Sequence, residues 1–390
     1  MLRYLMVGAM GLACGPKTVV EGYQLRVIWD VNPHSEATIL WTVESKENYT
    51  SLLVSKDDLF ESVIEIDQIN IFFEQYNNSK LFQVNENPSV AYTRLENLEP
   101  GTEYYLKILG AQKESEVFYF RTAPTDGIKK ILIGGDSRSD RPNRITINQT
   151  IKEYRANNPE VIAFSHGGDY IDDGSDWRQW SHWLNDWSHT TLNGQILPII
   201  PTRGNHEIDE ILFNQVFGKP GDETNYYLTQ IGILDLFTLN SEISVLGDQY
   251  TWLQNSLEEA SKVEGRFRVV NYHRPAKPAV KQPASTKYWI PLFEKFDVRV
   301  ALESDGHVYK RTAPIFGDSF NEDNGVIYLG EGGLGVKQRS PKNHRWFLQG
   351  GGMSFPMDHF IAAEIGDDYL HFSSMDKNGE IFDEFTISPR

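Results

Sequence analysis

From residue 128 onward, the sequence alternates short apolar runs with longer segments of helical period. The apolar runs include KKILIGGD, VIAFSHGGD, ILPIIPTRGNHE, FRVVNYH and VRVALESDGH, and helical segments such as ITINQTIKEYRANN and YTWLQNSLEEASK lie between them. This alternation predicts a layered α/β domain over residues 128–390. In α/β domains of this kind, ligands bind beyond the carboxyl ends of the strands. We therefore expect functional residues directly after the apolar runs.

The preceding segment, residues 20–123, has a different pattern. It contains strand-like runs such as ATILWTV, SLLVS and TEYYLKILG, separated by turn residues and without a helical period. This pattern predicts a β-sandwich, and LENLEPGTEYYLKI resembles the turn and following strand of a fibronectin type III-like domain. The predicted fold class is α/β, with an N-terminal β-sandwich followed by the layered domain. A chain of 390 residues is long enough for both domains.

Residues 1–16 predict an export signal. In MLRYLMVGAMGLACG, a single arginine precedes an apolar stretch of roughly ten residues, which fits a secretory signal and is too short to span a bilayer. Cys14 resembles the acylated cysteine of bacterial lipoprotein signals, although Gly11 stands where those signals usually carry leucine. A lipoprotein, a cleaved soluble exported protein and an uncleaved cytosolic start stay open as alternatives. The first predicts a periplasmic or cell-surface location, with membrane contact only through a lipid on Cys14.

The net charge limits the classes of partner. The formal charge is −17 at pH 7, so that electrostatic repulsion opposes binding to a nucleic-acid backbone or to an anionic membrane surface. Cations are the more favourable partners.

Metal-ligand side chains follow five of the predicted strands. They are Asp136, Asp169, Asn205, His273, and the pair Asp305 and His307. Taken singly, such residues are common in turns and helix caps. Together they recur at the same point of successive strand–helix units, where a sheet would gather them. Oxygen and imidazole ligands suit manganese, iron, zinc or magnesium, and a shared carboxylate can hold two such ions.

The motifs around these residues resemble those of the calcineurin-like metallophosphoesterases. GD at 135–136, GD at 168–169, GNHE at 204–207, HRP at 273–275 and SDGHVYKRT match in order and spacing. With the preceding β-sandwich, the pattern is similar to that of purple acid phosphatases and their bacterial relatives. The resemblance implies that Asp136 binds one metal, that Asp169 bridges two, and that Asn205 and His273 bind the other. It makes His206 the general acid or a phosphate contact, with a structural histidine of the GNHE turn as the alternative.

The sequence departs from the family pattern at three positions. Asp305 stands where the family's last motif carries the first of two histidines, His307 being the second; Asp305 either ligates a metal or marks a partly degraded site. Asp172 stands where purple members carry a tyrosine ligand, so the resemblance implies an outer-shell or turn residue and a protein without the purple colour. Arg138 replaces a histidine of many non-purple relatives, and it either binds a phosphate oxygen or forms a salt bridge with a nearby acid.

The resemblance implies metal-dependent hydrolysis of small-molecule phosphate esters. Two divalent or trivalent ions, iron, manganese or zinc, would supply a metal-activated hydroxide, and no covalent nucleophile is required. The alternative is a catalytically impaired, surface-anchored binding protein on the same scaffold, because one histidine is missing from the last motif. The sequence does not distinguish monoester from diester substrates.

Overall fold

The computed structural model describes residues 22–43, 50–64, 66, 69–72, 89–110, 114–208 and 210–390. The predicted export signal and Cys14 lie outside these ranges. Among the residues described, the helices are all too short or too polar to cross a membrane.

The described elements are numbered here in chain order. Before residue 124 lie strands β1 to β7, at Arg26–Ile28, Ala37–Val43, Ser51–Ser55, Asn70–Phe72, Ser89–Leu95, Glu103–Leu109 and Phe118–Arg121. Strands β8 to β22 follow at Lys129–Gly134, Val161–His166, Ile199–Pro201, Tyr227–Ile231, Leu234–Thr238, Phe267–Tyr272, Val298–Glu303, Tyr309–Arg311, Ile315–Phe316, Ser319–Phe320, Ile327–Gly330, Met353–Phe355, His359–Ile365, Leu370–Asp376 and Ile381–Ile387. Helices α1 to α5 span Arg141–Asn157, Trp177–Trp187, Glu210–Phe217, Asp248–Ala260 and Ile290–Lys295, and short 3₁₀ helices span Gly22–Gln24, Ser188–Thr190, Ser285–Trp289 and Trp346–Leu348.

Two mixed sheets form the centre of the α/β part. One has the order β22-β21-β20-β8-β9-β10, with β8, β9 and β10 parallel, and the other has the order β11-β12-β13-β14-β18-β15-β19. Successive strand residues point to opposite faces. Ile131 and Ile133 of β8 therefore share an apolar cluster with Val300 and Leu302 of β14, whereas Leu132 packs towards α1 and α2. The two sheets pack face to face, with α1 to α3 covering one and α4 and α5 the other. This confirms the predicted α/β class.

The N-terminal strands form two facing sheets, β1-β2-β5-β4 and β3-β6-β7. Trp41, Val54 and Leu106 share their common core, an arrangement compatible with a β-sandwich. The first sheet also continues into the α/β part, because β1 pairs in parallel with β10 at Ile28 and Ile199. The predicted boundaries at 20–123 and 128–390, and the fibronectin type III-like character, stay predictions.

The tryptophan-rich helix α2 packs against the loop after β8. The carboxylate of Asp176 caps the helix by accepting a backbone N–H bond from its first turn. Trp180, Trp183 and Trp187 are buried on one side of the helix. The indole N–H of Trp183 donates to the Ser137 hydroxyl at 2.9 Å. This contact fixes the residue that directly follows Asp136.

Candidate metal centre

The six candidate side chains meet at the carboxyl ends of strands from both central sheets. Those after β8, β9 and β10 are Asp136, Asp169 and Asn205, and those after β13 and β14 are His273, Asp305 and His307. The two sheets are joined close to this edge by a hydrogen bond of 2.8 Å from Asn271 of β13 to the Ser165 hydroxyl of β9. Parallel strands that end at one edge therefore bring together residues far apart in sequence.

The backbone at the centre is held in left-handed conformations. The φ angles are +58° at Asp136, +57° at Asp169, +69° at Asp305 and +59° at His307. Such angles are uncommon for non-glycine residues and cost about 1–3 kcal/mol each. A Cβ atom on Gly332 would collide with the Asp136 carboxylate, so only glycine fits there. The strained turns aim the side chains inward, as they do at functional sites in general.

One group of contacts centres on the His273 imidazole. Its Nε2 lies 3.2 Å from Asp169 Oδ1, 3.6 Å from Asp305 Oδ1 and 3.3 Å from Asn205 Oδ1. Its Nδ1 lies 2.8 Å from the Gly167 carbonyl oxygen, so this nitrogen carries the proton and donates. Nε2 is therefore the nitrogen that faces the three oxygen ligands.

A second group of contacts joins Asp136 and His307. Asp136 Oδ1 lies 3.2 Å from His307 Nε2, and Asp136 Oδ2 accepts the backbone N–H of Asp305 at 2.8 Å. One ligand atom each from Asp136, Asp169, His273 and Asp305 lie within 4.8 Å of one another. The two groups therefore form one continuous cluster in which Asp169 and Asp136 stand between the imidazoles.

The cluster contains buried ligand atoms without a hydrogen bond. Asp136 Oδ1, Asp169 Oδ2 and His307 Nε2 are shielded from solvent and have no hydrogen-bond partner in the part of the chain that the structure describes. Burying an unsatisfied carboxylate costs several kcal/mol unless a counter-charge neutralises it. Three carboxylates and two imidazoles at this spacing form a donor set that suits divalent cations. These residues therefore fit one or two metal ions.

The pKa values of His273 and Asp169 are shifted by the charges of the neighbouring cluster residues. Burial lowers the pKa of His273, but the charges of Asp169, Asp305 and Asp136 outweigh burial and raise it well above the usual value. Burial raises the pKa of Asp169, and the His273 charge opposes it and brings this pKa to about 2. The carboxylates thus favour the charged form of His273, and the His273 charge in turn favours the ionised form of Asp169.

Glu207, the last residue of GNHE, connects this motif to the GD motif at 168–169 and was not singled out from the sequence. Its side chain is fully buried. Oε2 accepts the backbone N–H bonds of Asp169 and Gly204, and Oε1 accepts that of Tyr170, all at 2.9 Å. Glu207 therefore fixes the backbone on either side of the Asp169 carboxylate. Its position inside GNHE was the available signal.

His206 and Arg138 lie at the partly buried rim of the cluster. His206 Nδ1 lies 2.7 Å from the Asp172 carbonyl oxygen, and Nε2 lies 3.9 Å from Asp169 Oδ2. Arg138 forms an ion pair with Asp172, and its Nε lies 3.5 Å from Asp169 Oδ2. Of the two alternatives for Arg138, the structure contains the salt bridge with a nearby acid. Asp172 is the partner of Arg138 and lies outside the cluster.

Lys281 is a further cation that sequence motifs did not reveal. Its ammonium forms an ion pair with Asp305 Oδ1, although Asp305 is almost entirely buried and Lys281 is 37% exposed. Asp305 adds a negative charge where the family pattern has a neutral imidazole, and Lys281 offsets that charge. No motif contains Lys281, and its loop lacks a periodic pattern, so that only the three-dimensional structure reveals the contact.

Comparison with known proteins assigns the α/β part to a family. Residues 129–309, which include all six cluster residues, match the calcineurin-like phosphoesterase family model. Purple acid phosphatase PPD1 from yellow lupin (Lupinus luteus) seeds has a similar structure, with a TM-score of 0.80 and 17% identity over 94% of this chain and 74% of that chain. PhoD is also similar, with a TM-score of 0.64 and 10% identity over 96% of this chain and 92% of that chain.

GAP50, described as the anchor in the inner membrane complex of Plasmodium, matches with a TM-score of 0.51 and 13% identity over 68% of this chain and 90% of that chain. No curated protein matches the sequence. At these identities the structural likenesses establish a shared fold, and the family model identifies the motif-bearing region. The chain therefore carries a domain of the calcineurin-like phosphoesterase family.

Proposed function

We propose that the protein hydrolyses small-molecule phosphate esters with two metal ions held by the cluster. The observation that carries this proposal is the convergence of three buried carboxylates, an amide oxygen and two imidazoles in one cluster, where Asp136 Oδ1, Asp169 Oδ2 and His307 Nε2 form no hydrogen bond among the described residues. The nearest nitrogen groups are His307 Nε2, 3.2 Å from Asp136 Oδ1, and Arg138 Nε, 3.5 Å from Asp169 Oδ2, and metal ions would give these buried atoms closer partners. The two ions are iron, manganese or zinc, whose ligand preferences match carboxylate, amide and imidazole donors.

The distances support a division of the ligands between the ions. Asp136 and His307 would hold one ion, since their side chains contact each other at 3.2 Å. The other ion would be held by Asn205, His273 and Asp305. Asn205 Oδ1 lies 3.3 Å and Asp305 Oδ1 lies 3.6 Å from His273 Nε2. Asp169 would bridge the two ions, because its carboxylate contacts the His273 side of the cluster and its other oxygen is unpartnered.

The residues at the rim support the chemistry of phosphate ester cleavage. When bound, the two ions supply a water molecule of lowered pKa and neutralise phosphate charge. The forked guanidinium of Arg138 would bind phosphate oxygens once it leaves Asp172. His206 donates Nδ1–H to the Asp172 carbonyl, which orients Nε2 towards the cluster. A proton on Nε2 would pass to the leaving alkoxide.

The second candidate function is a binding protein with an impaired site. The ion pair between Lys281 and Asp305 favours it, because an ammonium on this carboxylate competes with a metal ion. Turnover separates the two functions. Protein reconstituted with manganese, iron or zinc should hydrolyse p-nitrophenyl phosphate or its bis ester above a protein-free blank. Absence of turnover with every metal and both esters would refute the hydrolase and favour the binding protein.

Export and lipid anchoring rest on residues 1–16 alone. If Cys14 is acylated, the full chain expressed in a bacterial host partitions into the membrane fraction, and Cys14→Ser moves it to the soluble fraction. Membrane association that is unchanged in Cys14→Ser would contradict a lipid on this residue.

A further inference from the structure

The glycine-rich segment EGGLGVKQR, residues 331–339, directly follows β18 and passes beside the metal cluster. At its start, the backbone N–H of Gly333 donates to the Gly135 carbonyl at 3.0 Å. Two residues later, the Gly335 carbonyl accepts the backbone N–H of Asp140 at 2.7 Å. The 331–339 segment is therefore bound to the loop after β8, which carries the first residue of the cluster.

The end of the 331–339 segment contacts the last motif of the cluster. The Lys337 carbonyl oxygen lies 3.2 Å from His307 Nδ1, and the backbone N–H of Arg339 donates to the His307 carbonyl at 3.0 Å. The side chain of Arg339 also makes a contact here, because its Nη1 donates to the Asp305 carbonyl at 3.0 Å. Arg339 is thus held through its backbone and its side chain against two of the proposed metal ligands.

Most of the Arg339 guanidinium is not used by the protein itself. Within the described ranges, no carboxylate forms an ion pair with Arg339, and its Nε and Nη2 form no hydrogen bond. Both nitrogens are accessible to solvent, because Arg339 is partly exposed and the buried atoms without a hydrogen bond do not include them. A ligand in solution can therefore reach them.

Two other cations beside the cluster have carboxylate partners. Arg138 forms an ion pair with Asp172, and Lys281 forms one with Asp305. Arg339 differs from both, because it combines a fixed position with free N–H donors in a chain whose formal net charge is −17. A planar guanidinium with two free nitrogens binds the oxygens of a carboxylate or a phosphate bidentately.

We infer that Arg339 binds a second anionic group of the substrate, so that the preferred phosphate esters carry a carboxylate or a further phosphate on their alcohol part. The inference rests on the proposed function, since the first phosphate would lie at the metal ions. The second anion would accept hydrogen bonds from Nε and Nη2, while Nη1 keeps its bond to the Asp305 carbonyl. Arg311 uses the same two nitrogens to bind the Asp383 carboxylate, at 2.6 Å and 2.8 Å.

The test compares matched, non-hydrolysable phosphonates by titration calorimetry with the full chain loaded with manganese, its metal content checked afterwards. n-Propylphosphonate has one anionic group, 3-phosphonopropionate adds a carboxylate, and 1,3-propanediphosphonate adds a second phosphonate. At least one of the latter two should have a Kd roughly 5- to 20-fold lower than that of n-propylphosphonate. The tighter of the two identifies the second group as a carboxylate or a phosphate. Equal Kd values for all three would refute the inference.

Variants assign the preference to Arg339. Arg339→Met removes the charge and the N–H donors, so that the ratio of the two Kd values should fall below about 2. Arg339→Lys keeps the charge without the planar guanidinium and should give an intermediate ratio; it also serves if Arg339→Met fails to fold. Arg121→Met is the matched control, since Arg121 of β7 likewise donates to a backbone carbonyl, that of Gly101 at 3.0 Å, and has no carboxylate partner among the described residues. A wild-type ratio in the Arg339 variants, or its loss in Arg121→Met, would overturn the inference.

Turnover of p-nitrophenyl phosphate separates a failure of this inference from a failure of the proposed function. Protein that hydrolyses this ester but binds all three phosphonates equally lacks only the second anion subsite. Protein without turnover that still prefers a ligand with two anionic groups has the subsite and would favour the binding protein. Protein that shows neither turnover nor phosphonate binding would refute both proposals.

Discussion

Two buried aspartates of this protein differ in how their charge is satisfied. Asp186 in α2 is 1% exposed, and both its oxygens accept hydrogen bonds from Arg141 and Arg144. Asp169 is equally buried, yet its Oδ2 has no hydrogen bond and its neighbours include two further carboxylates, Asp136 and Asp305.

The difference shows that burial of a carboxylate does not by itself identify a functional site. Asp186 is balanced by two guanidinium groups and serves to join α1 and α2. Asp169 is balanced incompletely and is held in a strained conformation with φ at +57°. His273 and Arg138 lie against Asp169 but are shared with the neighbouring carboxylates, so that a bound cation would add the closer counter-charge that Asp186 already has. The contrast predicts that loss of Asp186 affects stability, whereas loss of Asp169 affects metal content and turnover.

The largest effect is expected for Asp169→Ala. Loss of the proposed bridge should lower kcat by about 10³-fold or more, because both ions lose a ligand. The metal-free variant should lose a small part of the free energy of unfolding, because the contacts of Asp169 with His273 and with the His206 backbone N–H are lost while repulsion from the two neighbouring carboxylates is relieved. Metal content, turnover and urea unfolding measure the three quantities. A large loss of metal-free stability would make Asp169 a structural residue.

Asp186→Asn should produce the opposite pattern. Removing one partner of a buried charge pair typically lowers the free energy of unfolding by about 3–5 kcal/mol. Metal content per folded molecule should stay at the wild-type value, because the hydrogen-bond partners of the Asp186 carboxylate are Arg141 and Arg144, which do not belong to the cluster. Urea denaturation and elemental analysis provide the measurement. Loss of metal in the folded fraction would contradict the separation between the two regions.

Lys281→Met tests the cation that contacts Asp305. The ammonium competes with a metal ion for this carboxylate, so that its removal should tighten metal binding roughly 3- to 10-fold at low salt. Calorimetric titration with zinc or manganese measures the Kd. Lys262→Met is a matched control, since Lys262 pairs with Glu259 on the surface away from the cluster. Weaker metal binding in Lys281→Met would show that the lysine supports the site.

The smallest effect is expected for Asp172→Ala. Asp172 holds the Arg138 guanidinium in an ion pair, and its removal should free Arg138 to bind phosphate. Inhibition by inorganic phosphate should become about 2- to 3-fold stronger, as expected for a partly exposed ion pair. Metal content should not change, because the Asp172 side chain lies outside the cluster. An altered metal content would instead make Asp172 a ligand.

The α/β class and the central residues of the site could be predicted from the sequence, because both follow from the order of strands and helices. Apolar runs that alternate with helical segments dictate a layered α/β domain, and the ends of parallel strands must meet at one edge. Asp136, Asp169 and Asn205 follow three such strands, and His273 follows another, so that their convergence follows from topology. In the described structure, these four residues lie in the cluster.

Other features depend on contacts that no local pattern encodes. The pairing of Ile28 with Ile199 joins strands on opposite sides of the predicted linker, and the sequence of a strand does not specify which strand it pairs with. Lys281 reaches Asp305 from an irregular loop. The charge balance of Asp186 likewise depends on how α1 packs against α2. Long-range contacts of this kind become visible only in three dimensions.

The number of metal ions bound to each chain, measured by elemental analysis together with anomalous diffraction from crystals, tests the dinuclear centre directly. Wild type should hold two ions in contact with Asp169, and Asn205→Ala and His273→Ala should each lose one ion with the fold retained. Ions bound elsewhere, or an unchanged number in both variants, would contradict it.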